Sequence, residues 1–175
     1  MNKKGFTLIE LLIVMAILGV LAVVVLVAIN PIQQLARTRD TGRKSSVTQI
    51  GHALQAYYTS RGGTYPTQGN TWITALTAAG EIGSIPGLIA YSVSGVTQCA
   101  NGANTQNSIC YDYTSTSENA IIWTALESNS ERAKCTGAGE YPYFVFNAQE
   151  GRGGLVCDTD GDIAPGVTTT WNANQ

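Results

Sequence analysis

The hydrophobic pattern begins with a long apolar run near the N-terminus. Nineteen residues, from Leu11 to Ile29, contain no charge. With the residues just before it, this run predicts a helix over 6–29 that is roughly 36 Å long, enough to cross a bilayer core of about 30 Å. An ordinary secretory signal peptide has a shorter apolar region, followed by a small-residue cleavage site. The pattern therefore predicts a transmembrane helix, and Lys3 and Lys4 in front of it predict a cytoplasmic N-terminus with the remainder facing outward.

The helix is predicted to continue beyond Pro31 as an amphipathic stem. Its apolar residues recur at steps of three and four, which is the spacing of one helix face. They are Ile32, Leu35, Ala36, Val47, Ile50, Ala53, Leu54 and Tyr57. This face is expected to pack on partner helices and, from Val47 onward, mainly on the chain's own head. Pro31 is expected to kink the helix or loosen its preceding turn, Gly42 is a second weak point, and Gly62 with Gly63 predicts a helix end near Ser60.

The remaining chain is predicted to form a short helix and a series of strands. Thr71–Ala79 is predicted to be helical, and later runs rich in β-branched and aromatic residues are predicted to be strands. These runs are Leu88–Val93, Ile109–Tyr113, Ala120–Leu126, Tyr143–Asn147 and Leu155–Cys157, with a hairpin turn at Gln149–Gly154. Short consecutive strands favour an antiparallel meander. The expected fold class is α+β, with a long N-terminal helical spine packed on a C-terminal antiparallel sheet.

Charge is unevenly distributed, although the net charge of the 175 residues is only −2. Six of the ten basic residues lie within residues 1–44, whereas residues 62–175 contain three basic and ten acidic residues. Broad nucleic-acid binding by the head is disfavoured, because it requires clustered Lys or Arg. The basic stem residues, Arg37, Arg39, Arg43 and Lys44, are expected to face acidic groups of adjacent subunits or lipid headgroups. Solvated helix charge is an equally good interpretation.

All four cysteines, Cys99, Cys110, Cys135 and Cys157, lie in the part of the chain predicted to be exported. An oxidising compartment favours two disulfides, for which four cysteines allow three pairings. Cys99–Cys110 and Cys135–Cys157 are favoured because each pair closes a short loop between turn-rich segments. Zinc is disfavoured, since there is no C-x-x-C motif and the single histidine, His52, lies on the stem.

Glu10 is the anomaly of the apolar segment. A carboxylate inside a membrane segment is costly and points to a function; the alternative is a side chain that reaches back to interfacial water. It closes the string Lys3-Lys4-Gly5-Phe6-Thr7-Leu8-Ile9-Glu10. This string resembles the class III signal of type IV pilins and of the pseudopilins of type II secretion. The resemblance is specific over residues 3–19 and weaker beyond residue 66.

The resemblance implies a processing and assembly scheme. A membrane prepilin peptidase would cut between Gly5 and Phe6 and N-methylate Phe6, and Glu10 would pair with the Phe6 amine of a neighbouring subunit. It implies four regions: leader 1–5, transmembrane and polymerisation helix 6–30, amphipathic stem 31–61, and head 62–175. The implied partners are further copies in a helical filament, the peptidase, an inner-membrane assembly platform, and lipid before assembly.

Asp158-Thr159-Asp160-Gly161-Asp162 places three carboxylates on alternate residues around a glycine. Hard oxygen ligands at this density suit calcium, and the resemblance to major pseudopilins, which bind calcium in a C-terminal loop, adds to that hypothesis. The segment is not an EF-hand loop, because its glycine stands at the fourth position and Thr169 occupies the place of the bidentate glutamate. The alternative is a solvated acidic turn. No cofactor other than calcium is indicated.

No enzyme motif is present in the sequence. The predicted head has no histidine for a hydrolase triad, and there is no phosphate-binding Gly-x-x-x-x-Gly-Lys loop. The function that the resemblance implies is structural, as a subunit of a type IV pilus fibre for adhesion, motility or DNA uptake. The acidic C-terminal loop and the stem–head junction favour the alternative of a major pseudopilin in a periplasmic pseudopilus. A different class is a membrane-anchored exported binding domain that never polymerises.

Overall fold

A computed structural model describes residues 5–92, 96, 99, 105–114, 119–164 and 171. The chain divides into two compact units, Met1–Leu35 and Ala36–Gln175. Leader residues 1–4, the end of the predicted strand at Val93, and the polar tail 167–175 apart from Trp171 lie outside the described residues.

The first unit contains helix α1, Leu8–Ile29, and the start of helix α2, Pro31–Ser60. Asn30 separates the two helices by adopting a left-handed conformation, with φ 45° and ψ 75°. Proline suits the first position of the new helix, where no backbone donor is required. The Asn30 carbonyl accepts hydrogen bonds from the backbone N–H groups of Gln33 and Gln34. The kink predicted at Pro31 is therefore a helix boundary, and the predicted end of the amphipathic helix at Ser60 is confirmed.

The second unit contains the remainder of α2 and an α+β head. Helix α3 spans Trp72–Ala79, and the four-residue helix α4 spans Asn129–Arg132. The strands are β1 Thr105–Gln106, β2 Ile109–Thr114, β3 Asn119–Ala125, β4 Tyr141–Asn147 and β5 Arg152–Asp158. They form one sheet in sequence order, and each neighbouring pair is antiparallel. The predicted antiparallel meander and the α+β class are confirmed; β1 and α4 were not predicted.

The apolar face of α2 covers one side of the sheet. Val47, Ile50 and Leu54 are fully buried against alternate sheet residues such as Ile122 and Phe146. The interpretation of this stripe as packing on the chain's own head is confirmed from Val47 onward. Earlier on the same helix, Ile32 and Leu35 are exposed. The head therefore anchors on the later part of α2.

The opposite side of the sheet is also covered. Ile121, Trp123 and Val145 form a second buried cluster with Val156 and Ile163. All seven residues of β3 are buried, as expected for a central strand that is covered on both faces. The tail residue Trp171 packs against this cluster. The indole Nε1 of Trp171 donates to the Glu150 carboxylate over 3.0 Å, so Trp171 itself is held on the head.

The prediction of a strand at Leu88–Val93 is wrong for the residues described, because 88–92 form no ladder with the sheet. The backbone carbonyls of Ile89 and Ala90 instead accept hydrogen bonds from the Arg43 guanidinium, over 3.3 and 3.1 Å. Because side chains of α2 satisfy these backbone groups, the segment remains irregular despite its strand-like composition.

Gly51 is a point of close approach between α2 and the sheet. A methyl group added there would overlap the buried ring of Phe146. We expect Gly51→Ala to destabilise the folded head by about 1–3 kcal/mol, because overpacking outweighs the better helix propensity of alanine. Near-ultraviolet circular dichroism of the full chain in detergent during heating measures this.

The matched control is Gly83→Ala, where an added methyl group meets no atom within 4 Å. That variant should remain within about 0.5 kcal/mol of the unaltered chain. Equal melting temperatures for both variants would contradict the close approach of α2 to Phe146.

Candidate functional site

The Gly5–Phe6 peptide bond lies in non-helical chain directly before α1. Thr7 is the N-cap of the helix, with φ −79° and ψ 151°, so the helical hydrogen bonds begin after the bond that would be cut. A methyl group added at Gly5 would meet no atom within 4 Å, and Phe6 is 85% exposed. A peptidase that binds extended backbone can therefore reach this bond without unwinding α1.

Glu10 closes a capping box at the start of α1. The Glu10 Oε2 atom accepts a hydrogen bond from the Thr7 backbone N–H over 2.9 Å and another from the Thr7 hydroxyl over 2.7 Å. The Glu10 backbone N–H in turn donates to Thr7 Oγ1 over 3.3 Å. The box satisfies N–H groups that lack helical partners, and the carboxylate lies at the positive end of the helix. Within one chain, then, Glu10 is held one helical turn from Phe6.

The side chains of α1 have no apolar environment within their own unit. None of the residues of Leu8–Ile29 is buried, and the mean hydropathy of an 18-residue window within this helix is 3.4. Among the described residues, α1 is a helix long and apolar enough to cross a membrane. Its second half forms an apolar groove of ≈ 560 Å³, lined by Leu18, Leu21, Ala22, Val25, Leu26, Ile29 and Pro31. Such a surface requires lipid or other apolar helices around it.

Two disulfides are present in the head, Cys99–Cys110 and Cys135–Cys157. Their Cα atoms are 6.0 and 5.6 Å apart, within the usual range for a bridge. Cys110 lies in β2, and Cys157 lies in the last strand, β5. This is the pairing favoured on the sequence.

Non-reducing peptide mapping of purified chain tests this pairing chemically. We expect one linked peptide that contains Cys135 and Cys157 and another that contains Cys99 and Cys110. Both should disappear from a reduced sample digested in parallel. A linked peptide that joins Cys99 to Cys135 would contradict the geometry, because the cysteines would have to exchange partners across the head.

The acidic turn after β5 directs its carboxylates at its own backbone. Asp158 Oδ2 accepts hydrogen bonds from the N–H groups of Asp160 and Gly161, over 3.2 and 2.7 Å, and Asp160 Oδ1 accepts from the Asp162 N–H over 3.1 Å. Gly161 has φ 77°, which this turn requires. Over the ranges that the structure describes, no group of three His, Cys, Asp or Glu residues is arranged to hold a metal ion. Calcium binding at this turn stays a prediction.

A buried ionic cluster in the head was not predicted. It is formed by Arg39, Asp40, Arg43 and Glu127. Asp40, Arg43 and Glu127 are only 2%, 3% and 0% exposed. Arg43 Nη1 lies 2.8 Å from Asp40 Oδ1 and 3.1 Å from Glu127 Oε1, and Arg39 Nε lies 2.6 Å from the same glutamate oxygen. The cluster joins α2 to the end of β3 inside the head.

The cluster also binds backbone that lies outside helices and strands. Asp40 accepts hydrogen bonds from the N–H groups of Glu127 and Ser128, over 3.0 and 2.8 Å. Glu127 Oε2 accepts from the Ser92 N–H over 2.8 Å, and the Arg43 guanidinium lies 3.9 Å from the ring centre of Tyr91. Burial by itself raises the pKa of Glu127, but the bonds from Arg39, Ser92 and Arg43 prevail and lower that pKa to about 2.

This arrangement corrects the expectation for the basic stem residues. Arg39 and Arg43 pair with Glu127, and Lys44 pairs with Glu131 over 2.8 Å. Three of the four stem cations are therefore neutralised within their own chain, instead of facing lipid, neighbours or solvent. Arg37 is exposed. The one available signal was the Asp40–Arg43 spacing of three residues, which reads equally well as a solvated pair on a helix surface.

An exposed apolar helix, a carboxylate at its N-terminus beside non-helical chain and a disulfide-linked α+β head together fit a precursor that is anchored in a membrane and later exported. A family model described as the prokaryotic N-terminal methylation motif matches residues 1–26. The chain thus carries the class III signal of type IV pilins and pseudopilins, which implies cleavage by a prepilin peptidase and assembly into filaments. Comparison with curated proteins and with solved structures gives no significant match.

Proposed function

We propose that the chain is a structural subunit of a type IV pilus, which polymerises through α1 after its leader is removed. The observation that carries the proposal is the complete exposure of α1, combined with Glu10 one turn from the cleavage point. A helix that buries none of its own residues gains stability only by leaving water for lipid or for a bundle of like helices. The methylation motif over residues 1–26 supports the same function.

Assembly would depend on two charged groups, the Phe6 amine that cleavage creates and the Glu10 carboxylate of a neighbouring subunit. Cutting after Gly5 creates a positively charged amine on Phe6, at the apolar end of the subunit. In lipid or in a fibre core, an amine and a carboxylate attract strongly because little water screens them. Glu10 of one subunit is the matching acceptor for the Phe6 amine of another, and the pair would set the axial register. Apolar contacts along the rest of α1 would then supply most of the interface area.

The role of Thr7 follows from the capping box. A Glu10 carboxylate that binds Thr7 in the free subunit is already ordered and already satisfied by hydrogen bonds. A carboxylate in this state costs less to keep in lipid than one with no partners. In the free subunit within the membrane, Glu10 would therefore keep its hydrogen bonds from Thr7. During assembly, the Phe6 amine of another subunit would bind the same carboxylate in addition.

Two alternatives remain. A major pseudopilin uses the same signal and helix, and the acidic turn at Asp158–Asp162 together with the stem–head junction favours it. A membrane-anchored exported binding domain would retain α1 as a simple anchor and would leave the Gly5–Phe6 bond intact. In all three cases the protein begins in the cytoplasmic membrane with its head outside. An inner-membrane platform that extracts the protein from the membrane is required for the pilus subunit and for the pseudopilin, but not for the anchored binding domain.

Mass spectrometry of the N-terminus in material sheared from cells tests the proposal. We expect a peptide that begins at N-methylated Phe6, at a level comparable with that of internal peptides. The same peptide found in the cell envelope and missing from the sheared fraction would support the pseudopilin instead. An intact Met1–Gly5 leader in both fractions would overturn polymerisation altogether.

A further inference from the structure

A groove on the head lies between the last turns of α2 and the turn that joins β4 to β5. Its volume is ≈ 300 Å³, at the lower end of the range for small-molecule sites. We call it the tyrosine groove. Its lining consists of Gln55, Tyr58, Thr59, Tyr65, Ala148 and Gln149. None of its lining residues belongs to α1 or to the buried ionic cluster.

The lining combines aromatic rings with uncharged hydrogen-bonding groups. The rings of Tyr58 and Tyr65 lie 4.6 Å apart between centroids and are inclined by 32°. Gln55, Thr59 and Gln149 add two amides and a hydroxyl, and none of the six lining side chains carries a charge. Such a surface suits a ligand with both an apolar face and several neutral polar groups.

Three side chains of the groove, Gln55, Tyr58 and Tyr65, are held in place before any ligand arrives. Gln55 Nε2 donates to the Ala148 carbonyl over 2.8 Å, and Gln55 Oε1 lies 3.2 Å from His52 Nδ1. Tyr65 lies between Tyr58 and Tyr113, whose ring centre is 6.3 Å away. Fixed side chains lose little conformational freedom on binding, which favours recognition.

We propose that the tyrosine groove binds a neutral saccharide. A pyranose ring has a face of C–H groups, which packs on a tyrosine ring, and a rim of hydroxyls, which exchange hydrogen bonds with amides. Single-stranded nucleic acid also stacks on aromatic rings, but it requires a positively charged groove. An apolar peptide side chain would take water from the Gln149 amide and from the hydrogen-bonding capacity that Gln55 keeps beyond Ala148 and His52, and it would offer no hydrogen bond in return.

Saturation-transfer NMR on the full chain in lauryldimethylamine oxide micelles tests the proposal, because that detergent carries no sugar headgroup. The probes are cellobiose, lactose and chitotriose, with glucuronic acid as the anionic comparison. We expect transfer to the C–H protons of at least one neutral probe, with millimolar affinity, as is usual for ligands of this size. Tyr58→Leu should reduce the transfer at least fivefold.

Two further variants make the result decisive. Gln149→Ala removes an exposed side chain, so it should keep the fold while weakening the transfer. Tyr141→Leu alters a tyrosine that contacts Arg132 outside the groove, and it should leave the transfer unchanged. The proposal is overturned if no neutral probe receives saturation, if glucuronic acid binds more tightly, or if Tyr58→Leu and Gln149→Ala bind like the unaltered chain. None of these outcomes depends on fibre formation.

Discussion

Glu10→Ala is expected to abolish fibre assembly while leaving the chain in the membrane and still cleaved at Gly5–Phe6. The substitution removes the acceptor for the Phe6 amine of the neighbouring subunit. Removing one member of a buried ion pair costs about 3–5 kcal/mol, because the other charge stays buried without a partner. That energy corresponds to a loss of about a hundredfold or more in each association step. The measurement is the amount of the chain in the sheared fraction, relative to its amount in the membrane.

Thr7→Ala is the control for this prediction. It breaks the capping box, which costs about 1 kcal/mol of helix stability, but it keeps the Glu10 carboxylate. We expect Thr7→Ala to assemble and Glu10→Ala to fail, with N-methylated Phe6 in both. Fibres at the level of the unaltered chain in Glu10→Ala would show that Glu10 acts only as a helix cap.

Glu127→Ala is expected to destabilise the head by about 3–5 kcal/mol, the largest effect that we predict inside it. The substitution leaves Arg43 buried beside Asp40 with one counter-charge fewer, and it frees the Ser92 N–H from its acceptor. Thermal unfolding of the full chain in detergent measures the change. Arg37→Ala provides the comparison, because Arg37 is an exposed charged residue of α2 and its loss should change the stability by less than about 1 kcal/mol.

Glu127 should also make the stability of the head depend on pH in the acidic range. The bonds to Glu127 lower the pKa of its carboxyl from 4.5 to about 2 in the folded chain. A carboxyl with a depressed folded-state pKa stabilises the fold fully above its unfolded pKa, and this contribution is lost as pH falls through the window to about 2. We expect Glu127→Gln to flatten the loss of stability between about pH 4.5 and pH 2. An unchanged slope would contradict the role of Glu127 in the cluster.

The sequence was sufficient to predict helices and strands where the interactions that determine them are local. The apolar run of α1, the helix end at Ser60 and the order of strands from Ile109 onward follow from composition and spacing within a few neighbouring residues. Glu10 was identifiable because a charge inside an apolar run conflicts with its surroundings. The assembly role of Glu10 remains a prediction, since it depends on a second subunit.

The sequence was insufficient to predict the conformation or burial of a residue whose interaction partner lies far along the chain. The segment at Ile89 has the composition of a strand, but Arg43, 46 residues earlier, binds its backbone. Glu127 closes the buried ionic cluster from 84 residues beyond Arg43. No periodicity encodes such pairs, because each charge looks like an ordinary surface residue of its own element. Gly51 is similar, since only the position of the Phe146 ring shows why a side chain does not fit there.

The positions of the two disulfides have a mechanical consequence for a filament under tension. Cys135 and Cys157 are 22 residues apart, and the segment between them contains β4 and most of β5. A tensile load carried by the backbone passes through the sulfur bridge, so this hairpin bears none of it. With the bridge open, 22 residues drawn straight would lengthen the subunit by roughly 75 Å. Whether the Cys135–Cys157 disulfide is formed or reduced therefore determines how far one subunit can extend before all strands of its sheet have separated.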